Sequence, residues 1–81
     1  MPKKTPWAEP TEHDIKVGQV RRWNRNNNTF VVVSIISSEI DTMEDEVEVM
    51  YSDGFSHTMY ASDMVQLFPD DDGYSVVVCD P

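Results

Sequence analysis

The chain contains no lysine or arginine after Arg25. All six basic residues lie in residues 1–25, whereas residues 26–81 hold twelve of the fifteen Asp and Glu side chains. The formal net charge is −9. A surface of one sign attracts a strongly positive partner and repels nucleic acids and anionic membranes. The sequence therefore predicts a basic protein as partner, and no direct contact with nucleic acid or membrane.

Cysteine and long apolar runs are also scarce. The single Cys79 excludes an internal disulfide. No apolar run approaches the roughly 20 residues that span a bilayer. The N-terminus carries Lys3 and Lys4 but lacks the apolar segment of a secretory signal. These absences predict a cytoplasmic protein.

Motifs for metal binding and catalysis are missing as well. His13, His57 and Cys79 do not have the spacing of zinc ligands, and Asp70–Asp72 lacks the alternating ligands of a calcium loop. No serine lies in a nucleophile-elbow sequence. We therefore predict no metal, no cofactor and no catalytic residue, and a protein that acts by binding.

The chain does show apolar and β-branched segments separated by polar turns, as in an all-β domain. Asn24–Asn28 and Ser52–Gly54 are predicted turns, the latter with Asp-Gly hairpin chemistry. Thr29–Ile36 is expected to be buried on much of both faces. The remaining predicted elements are strands at Lys16–Trp23, Glu46–Tyr51, Phe55–Tyr60, Val65–Phe68 and Tyr74–Cys79, and one helical turn at Ala61–Met64.

The first residues are predicted to form an arm. Pro2, Pro6 and Pro10 disfavour a helix, so residues 1–14 are expected to be extended, with Trp7 as the side chain able to dock on the domain. Residues 15–81 then form the single folded domain.

The segment 16–68 resembles the SH3-like and Tudor-like small barrels. The resemblance lies in the opening Val17–Val20, in Trp23 at the end of the first strand, in the Tyr51–Phe55 hairpin and in the Ser62–Met64 turn before a short strand. It implies a small five- to six-stranded SH3-like barrel with an extended N-terminal arm, to which residues 74–79 add an extra strand. By size and charge, the chain is also similar to the acidic DNA-mimic inhibitors of bacteriophages.

A row of glutamates gives this second resemblance a physical basis. If the strand extends back far enough, Glu44, Glu46 and Glu48 lie on one face about 6.8 Å apart. Phosphates two steps apart on one DNA strand advance by a similar distance, about 6.8 Å along the helix axis. Asp53 and Asp70–Asp72 are expected to extend this acidic face from neighbouring loops. The predicted hydrophobic anchors of the interface are Met50, Tyr51, Met59 and Tyr60.

Three alternatives stay open. In a modular peptide- or subunit-binding barrel, Trp23, Tyr51, Phe55 and Tyr60 would form an aromatic cage for a cation, with Asp53 nearby. In a phage structural subunit, the last strand would pair with a neighbouring molecule. The basic segment 1–25 would also allow two copies to pair as a homodimer.

Overall fold

Five antiparallel strands form one sheet in the computed structural model, which describes residues 11–81. Across the sheet the order is β4-β3-β2-β1-β5, so the first strand lies between the second and the last. Strands β4 and β5 are the two edges, and the sheet is not fully closed. The all-β prediction is confirmed, and the arrangement is consistent with a small SH3-like barrel. The strands are β1 (Val20–Trp23), β2 (Thr29–Ile36), β3 (Glu46–Tyr51), β4 (Ser56–Tyr60) and β5 (Ser75–Cys79).

Both predicted turns are present, and local polar groups stabilise them. In the β1–β2 turn, Asn27 has φ of 61°, and the Asn28 N–H donates to Asn26 Oδ1 at 3.0 Å. In the β3–β4 turn, Gly54 has φ of 87°, and its N–H donates to Tyr51 O at 2.9 Å. Asparagine and glycine tolerate this left-handed backbone, which explains why these residues end the strands here.

The core lies on one face of the sheet. It is built on Phe30 and Val32 from β2 and on Val47 and Val49 from β3, and the last two are fully buried. Alternation along the strands directs these side chains to the same side. The other members of the core are Ile15, Ala61 and Met64.

The opposite face of β2 is less covered than expected. Val31 and Val33 are half-buried, and Ile36, which follows the register shift between Val32 and Ser34, is 62% exposed. The cause is that no second layer of described residues packs over this side of β2. Thr29–Ile36 is therefore fully buried at only two positions, Phe30 and Val32.

The predicted strand at Val65–Phe68 is wrong. Within the described residues this segment has no strand pairing, because the following loop takes up part of its backbone: the Leu67 N–H donates to Asp71 Oδ2 at 3.3 Å, and Phe68 O accepts the Asp71 N–H at 3.1 Å. The segment 74–79 is consequently not an extra strand. As β5 (Ser75–Cys79) it is the fifth strand of the sheet, and it pairs with β1.

Two short 3-10 turns connect the strands, at Thr42–Glu44 and at Ala61–Asp63. The second lies where one helical turn was predicted. Asp63 Oδ2 accepts the Tyr60 N–H at 3.1 Å, and the Ala61 N–H donates to Asp45 O at 2.9 Å. This turn carries the chain from β4 over the core, where Met64 is fully buried.

The part of the predicted arm that the structure describes lies against the domain. Thr42 Oγ1 donates to Thr11 O at 3.0 Å, and Ile15 belongs to the core. Trp7 and the rest of residues 1–10 lie outside the described residues. None of the helical segments within residues 11–81 is long and apolar enough to cross a membrane.

Candidate protein-binding surface

The charge of the described region is largely uncompensated. Residues 11–81 include fourteen Asp and Glu side chains. Among the described residues, only Asp14, Asp45 and Asp72 lie within ion-pair distance of a basic side chain, namely Arg21, His13 and Arg25 respectively. The other eleven carboxylates have no cation beside them in this part of the chain, so their field extends into solvent, where a positive partner is attracted.

Two of these carboxylates project from β3. Val47 and Val49 point into the core, so alternation places Glu46, Glu48 and Met50 on the outer face. Glu46 and Glu48 are therefore held by a strand with partners on both sides, β2 and β4. Strand geometry places the Cα atoms of the two glutamates about 6.8 Å apart.

Apolar side chains flank these glutamates. Glu46 lies opposite Ile36 on β2 and Tyr60 on β4, which are 62% and 53% exposed. Farther along β3, Met50 is 40% exposed. We call this surface the β3 outer face: Glu46, Glu48, Met50, Ile36 and Tyr60.

Glu44 is not part of the strand. The structure places it in the 3-10 turn Thr42–Glu44, and β3 begins at Glu46. The turn is capped by Asp41, whose Oδ1 accepts the Met43 N–H at 2.9 Å. The strand therefore does not extend back to Glu44, and two glutamates of the predicted row, Glu46 and Glu48, project from β3. Glu44 lies next to them in sequence, beyond the buried Asp45.

The aspartates predicted to extend the acidic face lie elsewhere. Asp53 is in the β3–β4 turn, at the opposite end of β3 from Glu46, and its Oδ1 accepts the Phe55 N–H at 2.9 Å. Asp70–Asp72 lie before β5, where Asp72 Oδ1 is 3.6 Å from Arg25 Nη2. Asp71 accepts backbone N–H groups of its own loop. The structure therefore does not bring the seven acids together on one face.

The four predicted anchors divide between the two faces of the sheet. Met50 and Tyr60 are exposed on the β3 outer face. Tyr51 and Met59 are half-buried and pack against the core on the inner side. Only the first pair is placed to contact a partner that binds the outer face.

The aromatic residues do not converge as a set of four. Trp23 Nε1 donates to Tyr51 Oη at 2.7 Å, and these two line a pocket of about 310 Å³ together with Asp63 and Arg25. Phe55 instead packs against His57, with ring centroids 4.7 Å apart. Tyr60 lies across the sheet, beside Glu46.

Tyr51 also lines a second depression. This groove, of about 450 Å³, is also lined by Asp53 and Phe55. Tyr51 is therefore the one cage candidate that faces both depressions. Trp23 and Tyr51 share the first pocket and Tyr51 and Phe55 share the second, so neither of these two depressions brings three of the four aromatic residues together.

A buried polar network surrounds Arg21, and it was not predicted from the sequence. This arginine is 3% exposed and donates from Nε to Ser75 Oγ at 2.8 Å, from Nη1 to Gln19 Oε1 at 2.8 Å and from Nη2 to Ser75 O at 3.1 Å. Asp14 Oδ1 lies 3.3 Å from Nη1 and is the only carboxylate partner of Arg21 within residues 11–81. The sequence does contain one signal: Gln19, Arg21 and Trp23 occupy every second position, which places them on the same face of a strand.

A second pair, His13 and Asp45, secures residues 11–15. His13 Nε2 lies 2.8 Å from Asp45 Oδ2, and His13 Nδ1 accepts the Ile15 N–H at 3.2 Å. A neutral ring that accepts at Nδ1 carries its proton at Nε2, which then donates to the carboxylate. The Ser38 N–H, 2.6 Å from Oδ1, and the His13 ring lower the pKa of Asp45 below its usual 3.8, against the opposing effect of burial.

Comparison with known proteins gives no relative: no family model, no curated protein and no solved structure matches the chain. Within residues 11–81, no group of three or more His, Cys, Asp and Glu side chains is arranged to hold a metal ion. A functional proposal therefore depends on the surface itself.

Proposed function

We propose that this domain binds a basic, nucleic-acid-binding protein through the β3 outer face and competes there with nucleic acid. The observation that supports this proposal is the pair Glu46 and Glu48, which project from a strand paired on both sides and have no cation within ion-pair distance among residues 11–81. Their rise of about 6.8 Å along β3 is close to the roughly 6.8 Å by which alternate phosphates of a DNA strand advance along the helix axis. This is the action of an acidic DNA mimic of the bacteriophage type.

Charge and apolar contact have different roles in this proposal. Eleven uncompensated carboxylates steer a positive partner toward the domain, which raises the association rate and makes it salt-sensitive. Exposed ion pairs contribute only about 0–1 kcal/mol each. Lasting affinity therefore requires the apolar side chains Ile36, Tyr60 and Met50, which surround the two glutamates.

The test is a competition experiment with a charge-matched control. Immobilised domain is incubated with lysate of its source organism or of that organism's host at low salt, then eluted with rising salt or with duplex DNA. We expect a basic protein that both salt and duplex DNA release. The variant Glu46→Gln/Glu48→Gln should lose most of this protein, because the two charges facing the partner are removed.

The control variant is Asp70→Asn/Asp72→Asn, which removes the same charge from the loop before β5. This control should retain most of the bound partner, because the loop charges affect only the long-range electrostatic attraction and not the contact surface. Equal losses in the two variants would show that net charge, and not the β3 outer face, determines binding. A partner that DNA does not displace would contradict mimicry.

A second function is favoured by the Trp23–Tyr51 pocket. Two aromatic rings and the Asp63 carboxylate line it, a composition suited to a cationic group on a peptide. Arg25 at the same pocket opposes a cation, although its guanidinium lies 3.6 Å from Asp72. Titration with a trimethyl-lysine peptide, followed by Trp fluorescence in a Trp7→Phe background, tests this function. Loss of the signal in Tyr51→Ala supports it, and no signal before substitution contradicts it.

A further inference from the structure

The pairing of β4 with β3 determines which backbone groups of β4 face outward. The Tyr51 N–H donates to Phe55 O at 2.8 Å, and the Ala61 N–H donates to Asp45 O at 2.9 Å. Backbone groups alternate in direction along an antiparallel ladder. The odd-numbered residues of β4 therefore pair with β3, and its even-numbered residues direct their N–H and C=O groups to the outer edge of the sheet.

Two residues of this outer edge are open. Within residues 11–81, the backbone N–H and C=O groups of Ser56 and Thr58 have no hydrogen-bond partner, and both residues are exposed. The next even-numbered residue closes the edge, because the Tyr60 N–H donates to Asp63 Oδ2 at 3.1 Å. The open stretch therefore offers two donors and two acceptors to an extended chain.

The β4 edge lacks the features that usually protect an edge strand. Ser56–Tyr60 contains no Asp, Glu, Lys, Arg or Pro, and it pairs with β3 in an unbroken register. Natural edges are commonly charged, interrupted or covered. The opposite edge of the sheet is partly covered, since the Ser75 N–H donates to Met64 O at 2.8 Å and Ser75 O accepts from Arg21 Nη2 at 3.1 Å. Of the two edges, β4 is therefore the one suited to accept a further strand.

Short side chains separate this edge from the glutamates of β3. Thr58 lies opposite Glu48, and Ser56 lies opposite Met50. A residue added opposite Thr58 would lie two strand spacings from Glu48, about 9.6 Å. The long stem of a Lys or Arg can extend over Thr58 toward the Glu48 carboxylate, which has no cation within ion-pair distance among the described residues. Charge complementarity therefore favours a basic residue at this position.

The other side of the same edge is aromatic. His57 lies opposite the buried Val49, so its side chain is on the inner side of the sheet. There its ring centroid is 4.7 Å from that of Phe55, which is 58% exposed. In an added strand, the residue between two outward basic residues faces these rings, and an apolar side chain there removes aromatic surface from water. The edge thus fits a segment in which basic and apolar residues alternate.

We propose that an extended segment of the basic partner, in which Lys or Arg alternates with apolar residues, adds to β4 as an antiparallel sixth strand. This inference rests on the proposed function, because it names the part of the partner that meets the β3 outer face. Residues opposite Ser56 and Thr58 exchange backbone hydrogen bonds with them, and their basic side chains lie on the side of Glu48. In such strand addition, backbone hydrogen bonds supply affinity and alternate side chains supply specificity.

Binding of a synthetic peptide to the native chain tests the proposal. The probe is a blocked peptide of about eight residues in which lysine alternates with valine, titrated calorimetrically at low salt. Methylating the backbone nitrogens of its lysines removes the donors that face β4, and should weaken binding at least about tenfold because two hydrogen bonds are lost. Methylating the valine nitrogens is the matched control. It keeps the charge and the number of methyl groups, and affinity should be nearly unchanged.

A substitution in β4 tests the same contact from the side of the domain. Thr58→Pro removes an N–H that faces away from β3, a position where a sheet tolerates proline. This variant should bind the unmodified peptide at least about fivefold more weakly. Thr58→Val keeps the N–H and a similar shape, and should bind as the native chain does. Equal affinities of the two variants would contradict pairing at Thr58.

Glu48→Gln separates this inference from the proposed function. Equal affinities of the two methylated peptides, both weakened by Glu48→Gln, overturn strand addition and leave the β3 outer face as a surface that binds by charge. Peptide affinity that Glu48→Gln does not change overturns the basic partner itself, and with it the proposed function. Self-association of the native chain that Thr58→Pro abolishes, without peptide binding, assigns the edge to a second copy and also overturns the proposal.

Discussion

Arg21 Nε donates to Ser75 Oγ at 2.8 Å, and the same hydroxyl donates to Met64 O at 2.8 Å. A single serine hydroxyl thus connects β1, β5 and the segment that follows β4. A buried guanidinium is tolerated only when its donors are satisfied, so this contact explains how a cation remains inside a domain of this size.

Arg21→Lys should destabilise the domain by about 1–3 kcal/mol, because an ammonium cannot reproduce the planar set of donors and leaves buried acceptors unsatisfied. Arg22→Lys is the matched control: Arg22 is exposed, and its substitution should change stability by less than about 0.5 kcal/mol. Urea unfolding of the two variants measures the difference. Equal midpoints would contradict a structural role for Arg21.

The Asp45 carboxylate predicts a dependence of stability on pH. Its pKa is lowered in the folded state by the Ser38 N–H and the His13 ring, so folding favours the ionised form. The resulting stabilisation is complete above the usual value of 3.8 and is lost as the pH falls through the lower pKa of the folded state. Asp45→Asn should lack this contribution, and thermal unfolding between neutral and acidic pH should show a smaller decline for the variant. Parallel declines would contradict the assignment.

A side chain added at Gly54 in the β3–β4 turn should strain the backbone without causing a steric clash. Gly54 has φ of 87°, and a Cβ added there meets no heavy atom within 4 Å. Gly54→Val should therefore cost about 1–2 kcal/mol through the left-handed conformation alone. Gly54→Asn should cost less, since asparagine tolerates this region. Equal unfolding midpoints for Gly54→Val and Gly54→Asn would show that the turn relaxes to another conformation.

Substitutions of two methionines should distinguish an effect on stability from an effect on partner binding. Met64 is fully buried, so Met64→Ala should cost about 2–5 kcal/mol by leaving a cavity. Met50 is 40% exposed on the β3 outer face, and Met50→Ala should change stability by less than about 0.5 kcal/mol. The same Met50→Ala variant should weaken retention of a partner on the β3 outer face. Retention equal to that of the native chain would remove Met50 from the proposed interface.

Local chemistry made much of the sheet predictable. Thr29–Ile36 is a strand with the predicted limits, and the Asp-Gly turn identified the β3–β4 hairpin. Alternation also placed Val47 and Val49 inside and Glu46 and Glu48 outside. These features depend on near neighbours in the chain, which sequence patterns report directly.

Long-range polar contacts were not predictable from the sequence. Asp45 lies between two glutamates and looks like part of an exposed acidic run, yet it is buried because His13, 32 positions earlier, bonds to it. Arg21 looks like a solvent-facing strand residue until Ser75 is placed beside it. Val65–Phe68 has the composition of a strand, but the carboxylate of Asp71 competes for its backbone. In each case a distant or side-chain partner overrides the local pattern.

The pairing of β1 with β5 also has a consequence for the order of folding. Arg21 and Ser75 are 54 positions apart, whereas β1, β2, β3 and β4 pair between neighbours along the chain. Closing a long loop costs more entropy than closing a hairpin, so we expect the four-stranded meander to form first and β5 to dock late. The Arg21 guanidinium then stays hydrated until β5 docks. Ser75→Ala should accordingly accelerate unfolding in a stopped-flow experiment and leave the refolding rate nearly unchanged.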